Sequence, residues 1–288
     1  MNISIEKLIN QFQSIGVACC DAGGANIINS LIKNFQKIKF KSYVDGPAKN
    51  ILDSENIIFV ENKDLLFKKI DLLILGTGSS SFEKDILKIA KKYNIVTISI
   101  LDHFVNFRER FLHGMTPIYP DYCFVCDRHA LKIATKELFP FNQIYICKNY
   151  YVDTFKKYFT NNIPNNSSHV LYILENIKEK WGQKPPWEIA FFNFYNNYYK
   201  KNKKLKEIIV RPHPKDDPET YKKLNEINDI TFDLNISPIN SLLKSSTVVG
   251  AESYFLYLAK ESGFDVFTSI PSSIRKPRLP KNIYKVIS

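Results

Sequence analysis

Short apolar runs recur along the whole chain, and most of them end in a turn of Gly, Ser, Thr, Asp or His. They alternate with longer stretches patterned as amphipathic helices. Strands separated by helices pair in parallel, so the alternation points to doubly wound sheets with the ligand crevice beyond the strands' carboxyl ends. In the first half, the run 15–20 enters Asp21-Ala-Gly-Gly-Ala-Asn26 and a helical pattern at 27–37. Runs follow at 40–44 and 57–60. The run 71–75 ends in Gly76-Thr-Gly-Ser-Ser-Ser81 and precedes a helix at 82–93. The run 95–101 ends in Asp102-His103, and runs at 122–126 and 143–147 complete the series.

Residues 161–168, Asn-Asn-Ile-Pro-Asn-Asn-Ser-Ser, have turn chemistry throughout and read as a linker. The second half then restarts. Strands are expected at 169–174, 207–210, 230–232, 247–249 and 264–267. Helices are expected at 187–201, 221–228, 238–244 (capped by Ser237 or Asn235) and 254–262, the last closed by Gly263. The aromatics of 187–201 read as core, and the tail 271–288 as a surface wrap. A chain of 288 residues exceeds one ordinary core. The expected fold is α/β, with two Rossmann-like domains, 1–160 and 169–288, facing a cleft.

No apolar run approaches the ~20 residues of a membrane helix, and the first residues lack a signal peptide's apolar stretch. The expected location is therefore the cytoplasm. The chain has 40 Lys and Arg against 29 Asp and Glu, a formal charge of +11. The excess is mostly Lys on helix faces, as in 200–206, with no interleaved Arg and aromatic motif. Nucleic acid is therefore not an expected partner. A basic surface suits phosphorylated substrates and peripheral contact with an anionic membrane at the inner face. The five cysteines are an odd number in a reducing compartment, which argues against disulfides. Cys123 and Cys126 lie three apart on a strand, facing opposite ways, and no second pair completes a zinc site. Neither a metal nor a cofactor is expected.

Arg211-Pro-His-Pro214 follows a strand, so it stands at the ligand edge. The two prolines hold His213 on stiff extended backbone. Arg211 offers a planar donor fork suited to phosphate. About 40 residues later, Gly250-Ala-Glu-Ser253 forms a strand-to-helix turn. Gly250 would let amides approach an anion, the new helix adds its positive end, and Ser253 adds a hydroxyl. Glu252 would repel phosphate, so it is expected to accept from ribose hydroxyls. Each turn also has a bland reading, as a rigid loop and an ordinary helix cap.

Strand, Arg-Pro-His-Pro, helix, strand, Gly-Ala-Glu-Ser, then a helix with Ala259 and Gly263 resembles the donor half of GT-B glycosyltransferases. It is most similar to bacterial enzymes that use CMP-activated acidic sugars, the sialyl- and Kdo-transferase types. In that resemblance His213-Pro214 matches the His-Pro motif, and the downstream Ser motif falls on Ser245-Ser246 or on Ser253. The acidic motif of those enzymes matches Asp21-Ala-Gly23 in part, with Ala22 where a second carboxylate usually stands. The order of motifs also resembles a bacterial family found with surface-polysaccharide genes. The resemblance implies metal-independent, inverting transfer from a nucleotide sugar to a glycan or lipid-linked acceptor.

In the first half, Asp21 follows a strand and precedes Gly23 and Gly24, so it can take a proton from a sugar hydroxyl; its alternative role is a helix cap. Asp102 beside His103 can set the tautomer of a general base. Arg108 and Arg110 could clamp an anion or form a solvated face with Glu109. Thr77 and Gly78 lie in a third turn at the same edge, suited to a sugar. Two other functions stay open: an epimerase or hydrolase of nucleotide sugars on the same fold, and a basic polyanion-binding protein without chemistry.

Overall fold

The computed structural model describes residues 3–78, 80–164, 168–213, 216–234 and 237–287. Ser79, Asn165, Asn166, Ser167, Pro214 and Asn235, expected in turns, the linker and a helix cap, lie outside the described residues. The chain divides into two compact units, Met1–Tyr151 and Val152–Ser288. No helix among the described residues is long and apolar enough to cross a membrane.

Unit 1 runs α1 (Ile5–Ile9), β1 (Ile15–Cys19), α2 (Ala22–Asn34), β2 (Phe40–Val44), α3 (Pro47–Asp53), α4 (Lys63–Phe67), β3 (Leu72–Gly76), α5 (Phe82–Lys92), β4 (Val96–Leu101), β5 (Leu112–His113), β6 (Thr116–Pro117), β7 (Tyr122–Val125), α6 (Arg128–Glu137) and β8 (Ile144–Ile146). Helix α7 (Tyr150–Phe159) leads into unit 2. Six strands form one sheet in the order β2-β1-β3-β4-β7-β8, with every neighbour parallel. Strands β1 and β3 are buried along their whole length, because helices cover both faces. Helix α5 has Glu83 and Asp85 in its first turn and Lys91 and Lys92 in its last, as the helix dipole favours. It buries Ile86, Leu87 and Ala90.

Unit 2 runs β9 (His169–Ile173), α8 (Pro186–Phe194), β10 (Glu207–Arg211), β11 (Ile230–Phe232), α9 (Pro238–Leu242), β12 (Thr247–Gly250), α10 (Tyr254–Glu261), β13 (Asp265–Thr268) and β14 (Lys285–Val286). Its sheet order is β11-β10-β9-β12-β13-β14, again all parallel. Phe191 and Phe194 of α8 are fully buried and stand 5.0 Å from the Tyr172 ring, so these aromatics are core. The strand order reverses beside β1 and β3 in unit 1 and beside β9 and β12 in unit 2. The crevice beyond those carboxyl ends is where such sheets take ligands.

Several elements differ from the sequence expectation. Helix α2 starts at Ala22 rather than at 27, so Gly23 and Gly24 lie in its first turn. Close packing explains the glycine there: a Cβ on Gly24 would lie 3.2 Å from both the Gly76 Cα and the Thr77 nitrogen. Residues 57–60 supply only an isolated bridge, Ser42 to Phe59. The helix 187–201 is α-helical to Phe194 and then widens into a π turn, Tyr195–Tyr199. Residues 218–226 form a 3₁₀ helix. The tail adds the sixth strand of its sheet and buries Leu279, Ile283 and Ile287, so it is part of the unit's core.

Candidate functional site

In unit 1 the exits of β1, β3 and β4 bring Asp21, Thr77, Gly78, Asp102 and Arg110 together. Asp102 is buried, and its Oδ1 accepts from Arg110 Nη1 at 2.7 Å. The same Nη1 donates to the Thr77 carbonyl at 2.6 Å and lies 3.2 Å from the Thr77 hydroxyl. Thr77 in turn donates to the Ile100 carbonyl at 3.0 Å, tying β3's exit to β4. The side chains of Arg110 and Asp102 are 13% and 11% exposed, so this is an enclosed ion pair. Arg110 Nε is buried with no hydrogen-bond partner among the described residues. Asn106, at φ +58°, turns the chain between Asp102 and Arg110 in a conformation that asparagine tolerates.

The glycines of this edge make room for carboxylates. A Cβ on Gly23 would fall 1.9 Å from Asp102 Oδ2, and one on Gly78 would fall 2.5 Å from Asp21 Oδ2. Asp21 occupies the N-cap position of α2, but its side chain makes no capping hydrogen bond. Its carboxylate is turned toward Gly78 instead, and the residue is part-exposed. His103 Nδ1 accepts from the Phe104 N–H at 2.8 Å, while Asp102 Oδ1 is bonded to Arg110. Arg108 and Glu109 are exposed, while Arg110 turns inward.

In unit 2 the expected phosphate groups are largely committed. Arg211, the last residue of β10, contacts the Ser241 hydroxyl, lies 3.6 Å from Asp233 and stacks 5.6 Å from the Phe255 ring centre. Its side chain is 11% exposed. Ser245 and Ser246 stand at the amino end of β12, away from the carboxyl edge. The Ser245 hydroxyl is bonded to backbone of Thr247 and Leu171. Ser253 caps α10 by accepting from the Phe255 N–H at 3.1 Å. His213 lies part-exposed with Nδ1 3.9 Å from Asp216. Asp216 is fixed by Asn176 and by the Tyr221 hydroxyl.

The turn Gly250–Ser253 already holds an anion of the chain's own. Glu175, just past β9, accepts from the Glu252 N–H at 2.8 and 3.0 Å and from the amides of Ser253 and Ala251. Burial raises the Glu175 carboxyl to about 7, against the pull of those amides. Glu252 is buried and accepts from Arg275 and Arg278 rather than standing open for a ribose. Because Glu175 binds its proton more tightly folded than unfolded, its favourable contribution is complete below about 4.5 and is lost as pH rises toward 7. The melting temperature of Glu175→Gln is expected to lack this fall between pH 4.5 and 7. Parallel profiles for the two proteins, measured calorimetrically, would reject the assignment.

No family model matches the chain, and no curated protein matches it by sequence. Solved structures match it by fold. The UDP-N-acetylglucosamine 2-epimerase of Rickettsia bellii gives a TM-score of 0.63 at 13% identity, covering 89% of this chain and 78% of its own. Another UDP-N-acetylglucosamine 2-epimerase gives 0.56 at 12%, covering 89% and 79%. HepE of Anabaena, solved with UDP and glucose, gives 0.54 at 10%, covering 88% and 80%. At such identities the likeness establishes the fold, two parallel-sheet α/β domains of the GT-B type.

Four residues at these edges have no signal in the local sequence: Glu83, Glu175, Arg275 and Arg278. Glu83 reads as an ordinary first-turn acid of a helix, and Arg275 and Arg278 read as tail charges. Burial and partners, visible only in three dimensions, set them apart.

Proposed function

We propose that the chain is an enzyme acting on a nucleotide-linked sugar, and that it transfers the sugar to a hydroxyl of a glycan or lipid-linked acceptor. The observation that carries this reading is the contrast between two carboxylates at one sheet edge. Asp102 is enclosed and neutralised by Arg110. Asp21 is part-exposed, its carboxylate packed against Gly78. A general base must reach the proton it removes. Asp21 meets that requirement, and the Asp102–Arg110 pair serves to fix the surrounding loops. For the leaving nucleotide, His213 at the exit of β10 is more open to a phosphate than Arg211, with side chains 36% and 11% exposed.

A nucleotide sugar as substrate is supported by the structures of similar fold, two of which are named for UDP-N-acetylglucosamine 2-epimerase and one of which holds UDP and glucose. The same likeness favours a second reading, epimerisation or hydrolysis, in which the unit 1 groups act on the sugar itself. The CMP-linked acidic sugars suggested by the His-Pro motif are a narrower form of the first reading.

Incubation with UDP- and CMP-sugars, followed by ¹H and ³¹P NMR, separates these. Nucleotide release that requires a glycan acceptor is the expected result. Epimerised or free sugar formed without acceptor would establish the second reading in its place. Neither turnover nor nucleotide binding, with salt-sensitive binding to a polyanion, would overturn both.

A further inference from the structure

Glu83 is one of the few acids of unit 1 that folding places almost wholly out of water; it is 5% exposed. It belongs to the first turn of α5, where its carboxyl bonds its own backbone N–H and also reaches beyond that helix. Oε1 accepts from the Cys20 N–H at 2.8 Å, and Oε2 accepts from the Ser80 hydroxyl at 2.8 Å. Cys20 is the residue before Asp21. Ser80 follows the turn that carries Gly78, against which the Asp21 carboxylate is placed. One buried carboxyl therefore ties together the two loops whose contact fixes Asp21.

We propose that Glu83 is the positioning residue of Asp21: by bridging Cys20 and Ser80 it sets where the Asp21 carboxylate stands relative to Gly78. The inference rests on the reading of Asp21 as the reacting carboxylate. A buried carboxyl is costly to maintain unless its bonds are made, and these bonds add a buried link between the exits of the paired strands β1 and β3, where the Cys20 and Ser80 side chains also meet. Burial, foremost, raises the proton affinity of Glu83, and the negative charge of Asp21 adds to it. The other groups at this edge are the thiols of Cys19 and Cys20, whose protons are held more tightly than usual, Asp45 paired with Lys49, and Asp102 paired with Arg110.

The test uses the full chain and no substrate. Carboxyl ¹³C titration should place the Glu83 midpoint above the ordinary glutamate range, and Asp21→Asn should move it down. Exchange of the Cys20 amide should accelerate about tenfold or more in Glu83→Ala, as expected for a lost bond to a carboxyl group. Glu83→Gln, which keeps an acceptor oxygen for Cys20 and a donor for Ser80, should restore most of the protection. An unmoved Glu83 midpoint in Asp21→Asn, or unchanged Cys20 exchange in Glu83→Ala, would overturn the proposal. Should Glu83→Ala fail to fold, the titration in Asp21→Asn and the exchange in Glu83→Gln still decide it. Because none of these measurements needs turnover, an inactive protein would count against the proposed function and leave the positioning role standing. With turnover established, Glu83→Ala should lower kcat with KM little changed, and Glu83→Gln should recover most of it.

Discussion

Asp21→Asn is expected to lower kcat by about 10²–10⁴-fold, the usual contribution of a general base, while nucleotide affinity stays near that of the wild type. The substitution removes one charge and keeps the shape. Asp21 is part-exposed and makes no capping hydrogen bond to α2. Asp102→Asn should behave differently. It strips the counter-charge from Arg110, whose side chain is only 13% exposed and whose Nε already has no hydrogen-bond partner among the described residues. A buried charge left without its partner is strongly destabilising. The melting temperature should therefore fall and KM should rise, with more residual turnover than in Asp21→Asn. Steady-state kinetics and calorimetry on the two variants separate these outcomes. If Asp21→Asn retains near-normal kcat while Asp102→Asn is inactive yet folded, the base is Asp102. If both stay active, the unit 1 chemistry proposed above is wrong.

The difference between these two aspartates could not be read from the chain alone. Both end apolar runs, and the alternation of runs and helices was enough to set them at one sheet edge. Periodicity reports which residues are buried on a strand, so β1, β3 and the doubly wound architecture were legible. Partners are another matter. Arg108 and Arg110 are equivalent in sequence, and the 3₁₀ turn Glu109–Phe111 that follows Arg108 turns Arg110 inward to Asp102 and leaves Arg108 in solvent. Ser245-Ser246 and Ser253 flank the same short strand, and spacing does not say which flank faces the ligand. Glu175 is the sharpest case. Gly250-Ala-Glu-Ser253 has the glycine and the helix start of an anion seat, and the seat exists. Nothing in Leu174-Glu-Asn176 reveals that the chain fills it with a carboxylate 77 positions before Glu252.

The second large effect is expected at Glu252. This buried carboxylate gathers the side chains of Arg275 and Arg278 and the Arg278 N–H, and both arginines also reach Glu179. Arg275 further stacks 5.5 Å from the Trp181 ring centre. The network fastens the tail, which carries a strand of the sheet, to the exits of β9 and β12. Burial works to raise the proton affinity of Glu252, yet the guanidinium hydrogen bonds outweigh it and hold the carboxyl at about 2. Breaking a buried ion pair costs about 3–5 kcal/mol. The Arg275 and Arg278 side chains are 22% and 39% exposed, and solvent screening moves the expectation to the lower end, about 3 kcal/mol. For a unit of this size that is a fall of about 10 °C in melting temperature. The pH dependence has a definite sign. A carboxyl depressed on folding stabilises fully above its unfolded value, near 4.5, and loses that contribution as pH falls toward 2. Wild-type protein should therefore lose stability on acidification from pH 4.5, and Glu252→Gln should start lower and show a flatter acid limb. Calorimetric melting at pH 7 and across pH 2–5 reads both effects. A variant that melts with the wild type at neutral pH and follows the same acid limb would show that the tail is held by its apolar residues, Leu279, Ile283 and Ile287, and not by this network.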